Sequence, residues 1–214
     1  MNRMDHSHDD GVALHDLPDE LPDGSSILVA KPTSLTDHAL TLRLSDRYAD
    51  PDDCRLVLTT EIDAARTIDQ HDEIADGSAA GRLGVVDATE SHQPSAPFQE
   101  HPTVSLPNPA ELTRIVLALQ QLESTLSKDC ETINVVVRSL TPMLDGSRLE
   151  QVIRVVEQLV ERQRSAGGVA VFGMEYTRHG DRTMRALSDT VDAIVWVEES
   201  TNGPHLDFQR ARSR

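Results

Sequence analysis

ILVAKPTSLTDHAL, residues 27–40, carries the chain from one kind of structure into another. Ile27, Leu28, Val29 and Ala30 are apolar without alternation, as in a strand covered on both faces. Pro32, Thr33 and Ser34 break that run, and a helical pattern follows. Strand, tight loop, helix is the layout of a phosphate-binding loop. That loop needs glycines in the turn, so that backbone amides can cradle the phosphates, and a Lys-Ser/Thr pair where the helix begins. Here the turn has no glycine and the pair is Asp37-His38.

The same rhythm continues outward. Short apolar runs recur at 26–30, 55–60, 83–88, 133–139, 169–174 and 193–197, and most are apolar throughout. Helical patterns lie between them. In NPAELTRIVLALQQLEST, Leu112, Ile115, Val116, Leu119 and Leu122 share a face, with Asn108 and Glu111 spaced as a capping box around Pro109. In SRLEQVIRVVEQLVERQRS, Ser147 and Glu150 repeat the box. Leu149, Val152, Ile153, Val156, Leu159 and Val160 make the buried stripe, and Gly167-Gly168 end it. Strands alternating with helices imply right-handed crossovers and a mostly parallel sheet in a three-layer α/β unit. Residues 88–108, with four prolines and two histidines, read as a loop or irregular crossover, and HLDFQ as a last antiparallel edge strand. One domain spans 24–209. Residues 1–23 read as a flexible acidic tail and 210–214 as a basic one.

The chain has 214 residues and a net charge of -16, from 36 acidic and 20 basic side chains. Only Lys31 and Lys128 among the cations are lysine. Acids this dense repel one another in dilute buffer, and roughly molar salt, with a Debye length of about 3 Å, removes most of that penalty. The expectation is a cytoplasmic protein of a halophile. The charge argues against general nucleic-acid binding. No run approaches the roughly 18 apolar residues that span a bilayer, and the start has no signal-peptide core. Cys54 and Cys130 read as free thiols. His6, His8 and His15 lie among aspartates without a scaffold to fix metal geometry, so no metal site is expected.

In sheets of this kind ligands sit outside the carboxyl ends of the strands. Those ends carry Lys31, Thr33, Ser34, Thr36, Asp37 and His38, then Thr60 and Glu61, then Asp87, then Arg138 and Ser139, then Glu175. A carboxylate such as Asp37 in the first helical turn occupies the field that would attract phosphate, stabilising the helix by about 0.5–1 kcal/mol. Lys31 reads as a surface lysine, one turn too early to reach an outer phosphate. Arg138 reads as a counter-charge to Asp37, Glu61 or Asp87. Glu175 reads equally as a polar sensor or a solvated strand end, and His179 as part of an exposed loop.

Six stretches in order, GSSILVAKP, CRLVLTTEID, GRLGVVDAT, INVVVRSLTPML, GGVAVFGMEY and LSDTVDAIVWVEE, resemble the RecA/KaiC-like ATPase superfamily, nearest an uncharacterised haloarchaeal branch. The resemblance covers roughly 24–209 and rests on overall pattern, LTPML and DTVDAIVWVEE above all. It implies the fold, and it implies where the chemistry is missing. Lys31 stands where the first loop glycine belongs, and Ser34 and Thr36 replace later ones. Asp37 replaces the lysine and His38 the metal-holding hydroxyl. Arg138 stands where the family has its metal-binding aspartate, and Glu61 near the base that orients water. The expectation is a pseudo-ATPase without cofactor that works through a protein partner or self-association. The alternative is an atypical binder of ATP and Mg, with Lys31 and Arg138 on the phosphates.

Overall fold

The computed structural model describes residues 12–35, 37–74, 82–90, 101–200 and 203–211. Eight strands form one sheet: β1 (Ser26–Lys31), β2 (Cys54–Thr59), β3 (Leu83–Asp87), β4 (Thr103–Ser105), β5 (Ile133–Val137), β6 (Ala170–Glu175), β7 (Ala193–Ser200) and β8 (Gly203–Arg210). Their spatial order is β4-β3-β2-β5-β6-β1-β7-β8. All neighbours are parallel except β7 and β8, a hairpin running from Ser200↔Gly203 to Ala193↔Arg210. The antiparallel edge strand is therefore present, and Pro204 sits on it where no outer neighbour needs an amide.

Six α-helices cover the sheet: α1 (Leu40–Arg47), α2 (Ala64–Ile74), α3 (Leu112–Leu126), α4 (Thr141–Gly146), α5 (Leu149–Ala166) and α6 (Asp181–Ser188). The strand pleat sorts them. Leu28, Ala30, Leu56 and Leu58 pack with α3, α5 and α6 on one face, whereas Ile27, Val29 and Val57 point to α1 and α2 on the other. Every residue of β1, β2, β3, β5 and β6 is buried, which is why these segments are apolar without alternation. The architecture is the three-layer α/β sandwich with a mostly parallel sheet.

Several local expectations are corrected. Residues 12–23 are not a free tail: Val12 and Leu17 bury against α1, β1 and β7, and Arg43, Arg47 and Tyr48 bond the carbonyls of Val12, Leu17 and Pro18. Their apolar side chains are too sparse to show a period, so only the packed partner reveals them. Residues 1–11 and 212–214 lie outside the described ones, and Arg210 ends β8. The crossover at 88–108 contains β4, paired with β3 through Val85↔Thr103 to Asp87↔Ser105. Its three residues are too few for a recognisable alternation.

Neither capping box forms. Asn108 Oδ1 accepts from Ala110 N instead (2.7 Å), α3 starts only at Leu112, and Ser147 turns its hydroxyl to the Ala110 carbonyl. The end of α5 is as expected: Gly167 takes φ 83°, open to glycine without strain, and its N–H closes on Gln163 O at 2.8 Å. Cys54 and Cys130 are not free thiols. They form a disulfide, with Cα atoms 5.8 Å apart across a sequence separation of 76. The start of β2 and the connection from α3 to β5, which carries Cys130, meet at the amino edge of the sheet, a juxtaposition that a count of two cysteines does not disclose. No helix among the described residues is long and apolar enough to cross a membrane.

Candidate functional site

The tips of β1, β2, β5 and β6 meet beside the start of α1. Lys31 ends β1 in register with Glu175 of β6, and Val29 is opposite Gly173. The residue after β5, Arg138, is fixed by its own N–H to Leu58 O (3.0 Å), and Leu140 N bonds Gly173 O (2.7 Å). Gly173 is a glycine of necessity. A Cβ there would run into the Arg138 carbonyl and come within 2.9 Å of Thr41 Cγ2. A lone glycine inside the apolar strand AVFGME was the available signal for this close approach.

Asp37 does supply an anion to the helix start, though from before the first turn, since α1 begins at Leu40 with Ala39 as its N-cap. Asp37 Oδ1 accepts from Ala39 N (3.0 Å), and Oδ2 accepts from Arg43 Nη1 (3.2 Å) and Val12 N (3.4 Å). Its side chain is 9% exposed. The positive end of α1 is thus already neutralised. Nothing in the sequence pointed to Val12 here, and Arg43 was legible only as a cation on the first turn of the helix.

Lys31 is not a surface lysine. It is 7% exposed and folds back over its own loop to donate to Leu35 O at 3.3 Å. Arg138 is 8% exposed and pairs with none of Asp37, Glu61 and Asp87. It donates to Thr67 Oγ1 (2.6 Å), Gln70 Oε1 (2.6 Å) and the His38 carbonyl (2.5 Å), tying α2 to the loop before α1. Burial lowers its pKa to about 10, opposed by the charges of Glu61 and Asp37. The anticipated carboxylates have other partners. Asp87 accepts from Ala64 N at the start of α2 and from Thr89, and Glu61 Oε1 accepts from Ser139 Oγ (2.9 Å). His38 lines the same site, and its pKa is held down by burial first and then by the charges of Lys31 and Arg138.

The other candidates lie further out. Thr33 is exposed and bonds Thr177, Ser34 is exposed, and Thr36 lies outside the described residues. Glu175 is buried and 3.6 Å from Arg178, so it is no solvated strand end. His179 is half-buried rather than exposed.

Val29, Lys31, Asp37, His38, Glu61, Arg138 and Gly173 leave between them about 20 Å³. That holds one water-sized group. A phosphate chain with its metal is larger than that space. Outside Glu61 lies a more open cleft of about 450 Å³, bordered by Thr60, Asp63, Arg66 and Pro142. Among the described residues no three His, Cys, Asp or Glu side chains converge on a metal position.

A three-layer α/β domain whose strand-tip site is filled by its own side chains is the class that fold and geometry define. Residues 24–197 match the model of a family described as "Family of unknown function (DUF7504)", and the chain belongs to that family. No curated protein matches it. Among solved structures it is similar to uncharacterized protein PH0321 from Pyrococcus horikoshii, crystallised in complex with an unknown peptide. The match has a TM-score of 0.57 and 14% identity, and covers 90% of this chain and 86% of that one. At that identity the likeness concerns the fold alone.

Proposed function

We propose that this chain is a catalytically inactive, RecA/KaiC-like domain that acts as an interaction or regulatory module. One observation carries the reading: the place for phosphate at the head of α1 is taken by Asp37, held by Ala39 N and Arg43, over a cavity of about 20 Å³. A phosphate would meet a carboxylate where it needs amides, and an arginine stands where the metal-binding carboxylate would be. The residues present do not fit ATP with Mg, and no step of hydrolysis is assigned to them. The intact sheet and helices around this filled site support a role through surface contacts. The apolar-floored groove between α3 and α5, with Leu56, Val135 and Leu159 at its base, offers one such surface. That the archaeal protein of similar fold was crystallised with a peptide agrees with this reading.

A second reading, an atypical nucleotide binder, is favoured by the two cations Lys31 and Arg138 at one site. Calorimetric titration of the folded chain with Mg-ATP in roughly molar salt separates the two. No binding up to millimolar ATP supports the inactive module. Saturable micromolar binding that Lys31→Ala or Arg138→Ala abolishes establishes the second.

A further inference from the structure

The outer face of α3 carries no charge. Thr113, Val116, Leu117, Gln120, Gln121 and Ser124 follow one another along it, exposed or half-buried. By contrast, α2, α5 and α6 turn charges to solvent, among them Asp69, Glu73, Glu157, Glu161 and Arg182. The two charges that α3 does contain are already engaged. Arg114 pairs with Glu111, and Glu123 Oε1 accepts from Arg162 Nε of α5 at 2.7 Å. On a chain of net charge -16, a neutral face of this length is a departure. Leu117 stands on it 59% exposed, the one large apolar side chain so exposed among the described residues. Beside it runs the groove of about 700 Å³ between α3 and α5, floored by Leu56, Val135 and Leu159. A protruding apolar side chain and an apolar groove on one neutral face mark a contact surface.

We propose that this face joins two copies of the chain, α3 against α3, antiparallel about a two-fold axis near Gln120. The inference rests on the interaction-module reading above and names its partner. A two-fold contact must be self-complementary. Here each copy sets Leu117 against the groove of the other, so α3 and α5 of both copies stack as four helices. Charge selects the same arrangement. Acidic surfaces of two copies repel one another, and they do so least where the face is neutral. Glu157 and Glu161 lie one turn apart on the lip of the groove, and their carboxylates have no partner among the described residues. The antiparallel copy brings the Gln120 and Gln121 amides to them as donors. Size agrees as well. Helices of 15 and 18 residues offer a face about 25 Å by 20 Å, about 500 Å² before side-chain relief is counted, against roughly 800 Å² per partner in a standard interface.

The test is sedimentation equilibrium of the full chain in roughly molar KCl, where charge repulsion is screened, from about 1 to 100 µM. The expected result is a monomer–dimer equilibrium. Leu117→Glu places a charge beside Glu157 and Glu161 of the other copy and should weaken dimerisation at least about 100-fold. Its circular dichroism and Tm should match the parent, because Leu117 is exposed in its own chain. Gln209→Glu, exposed on β8, should leave the equilibrium unchanged. Gln120→Cys, next to the axis, should be captured as a disulfide-linked dimer on mild oxidation. A monomer across the range, a dimer that persists in folded Leu117→Glu, or a dimer that Gln120→Cys does not link overturns the proposal. Mg-ATP titrated into the same samples scores the inactive-site reading by itself. A monomer without ATP binding refutes the dimer alone, and a dimer that binds ATP refutes the inactive site alone.

Discussion

Replacing Asp37 by alanine measures how far the head of α1 is self-neutralised. The substitution removes the acceptor for Ala39 N at 3.0 Å, the partner of Arg43 at 3.2 Å and a long contact to Val12 N at 3.4 Å. Losing an amide acceptor at a helix start costs about 1 kcal/mol. The ion pair lies between the surface value, under about 1 kcal/mol, and the roughly 3–5 kcal/mol of breaking a buried pair. Arg43 is 22% exposed and keeps the Val12 carbonyl, so about 1–2 kcal/mol is appropriate. The sum is about 2–3 kcal/mol, a fall in Tm of about 5–10 °C for a chain of this length. Asp37→Asn keeps an oxygen for Ala39 N and loses the charge, and should cost about half as much. Thermal unfolding followed by circular dichroism in near-molar KCl gives both numbers. Two variants within about 0.5 kcal/mol of the parent would refute the reasoning. So would micromolar Mg-ATP binding by Asp37→Ala, because Arg138 and Gly173 still close the space.

Gly173→Ala forces a Cβ against the Arg138 carbonyl and should destabilise by about 3 kcal/mol, whereas Gly167→Ala, strained at φ 83° but uncrowded, should cost only about 1 kcal/mol; chemical denaturation midpoints compare them. Cys54→Ser, or reduction, opens a link across a separation of 76 and should remove about 4 kcal/mol, read as a lower urea midpoint in reductant; an unchanged midpoint would show the link idle. His71 is buried, so desolvation lowers its folded pKa below that of the unfolded chain. The unfolded state then binds more protons, so stability is complete above about pH 6.5 and declines as pH falls through that value. His71→Gln should flatten the decline, and a slope unchanged by that substitution would assign it to other groups.

Legibility tracked the range of the interactions. Apolar runs and helical stripes are local, and six strands, the main helices and the hairpin were readable from them. Lys31 was misread because a strand-end lysine looks solvated unless the loop that folds over it is known. Arg138 was expected to find a carboxylate, but Thr67 and Gln70 of α2 reach it first. Neither is distinctive in sequence. The capping boxes failed because spacing alone does not say where the preceding loop is pulled. The packing of residues 12–23, the partnership of Cys54 with Cys130 and the three-residue β4 each depend on a distant segment.

By itself the sequence determined the layer architecture and the absence of glycines and of a Lys-Ser/Thr pair after the first strand. Both follow from which residue types stand at which spacing, since burial on two faces demands continuous apolar strands and a phosphate loop demands glycines and a lysine. Only the tertiary structure decided that the space is nearly closed, that Asp37 is held by Arg43, and that two buried cations share one small cavity. Those facts arise where four strand tips, a helix start and the N-terminal segment converge. Charges that far apart in the chain acquire partners, or fail to, only when folding sets their distances and removes the water between them.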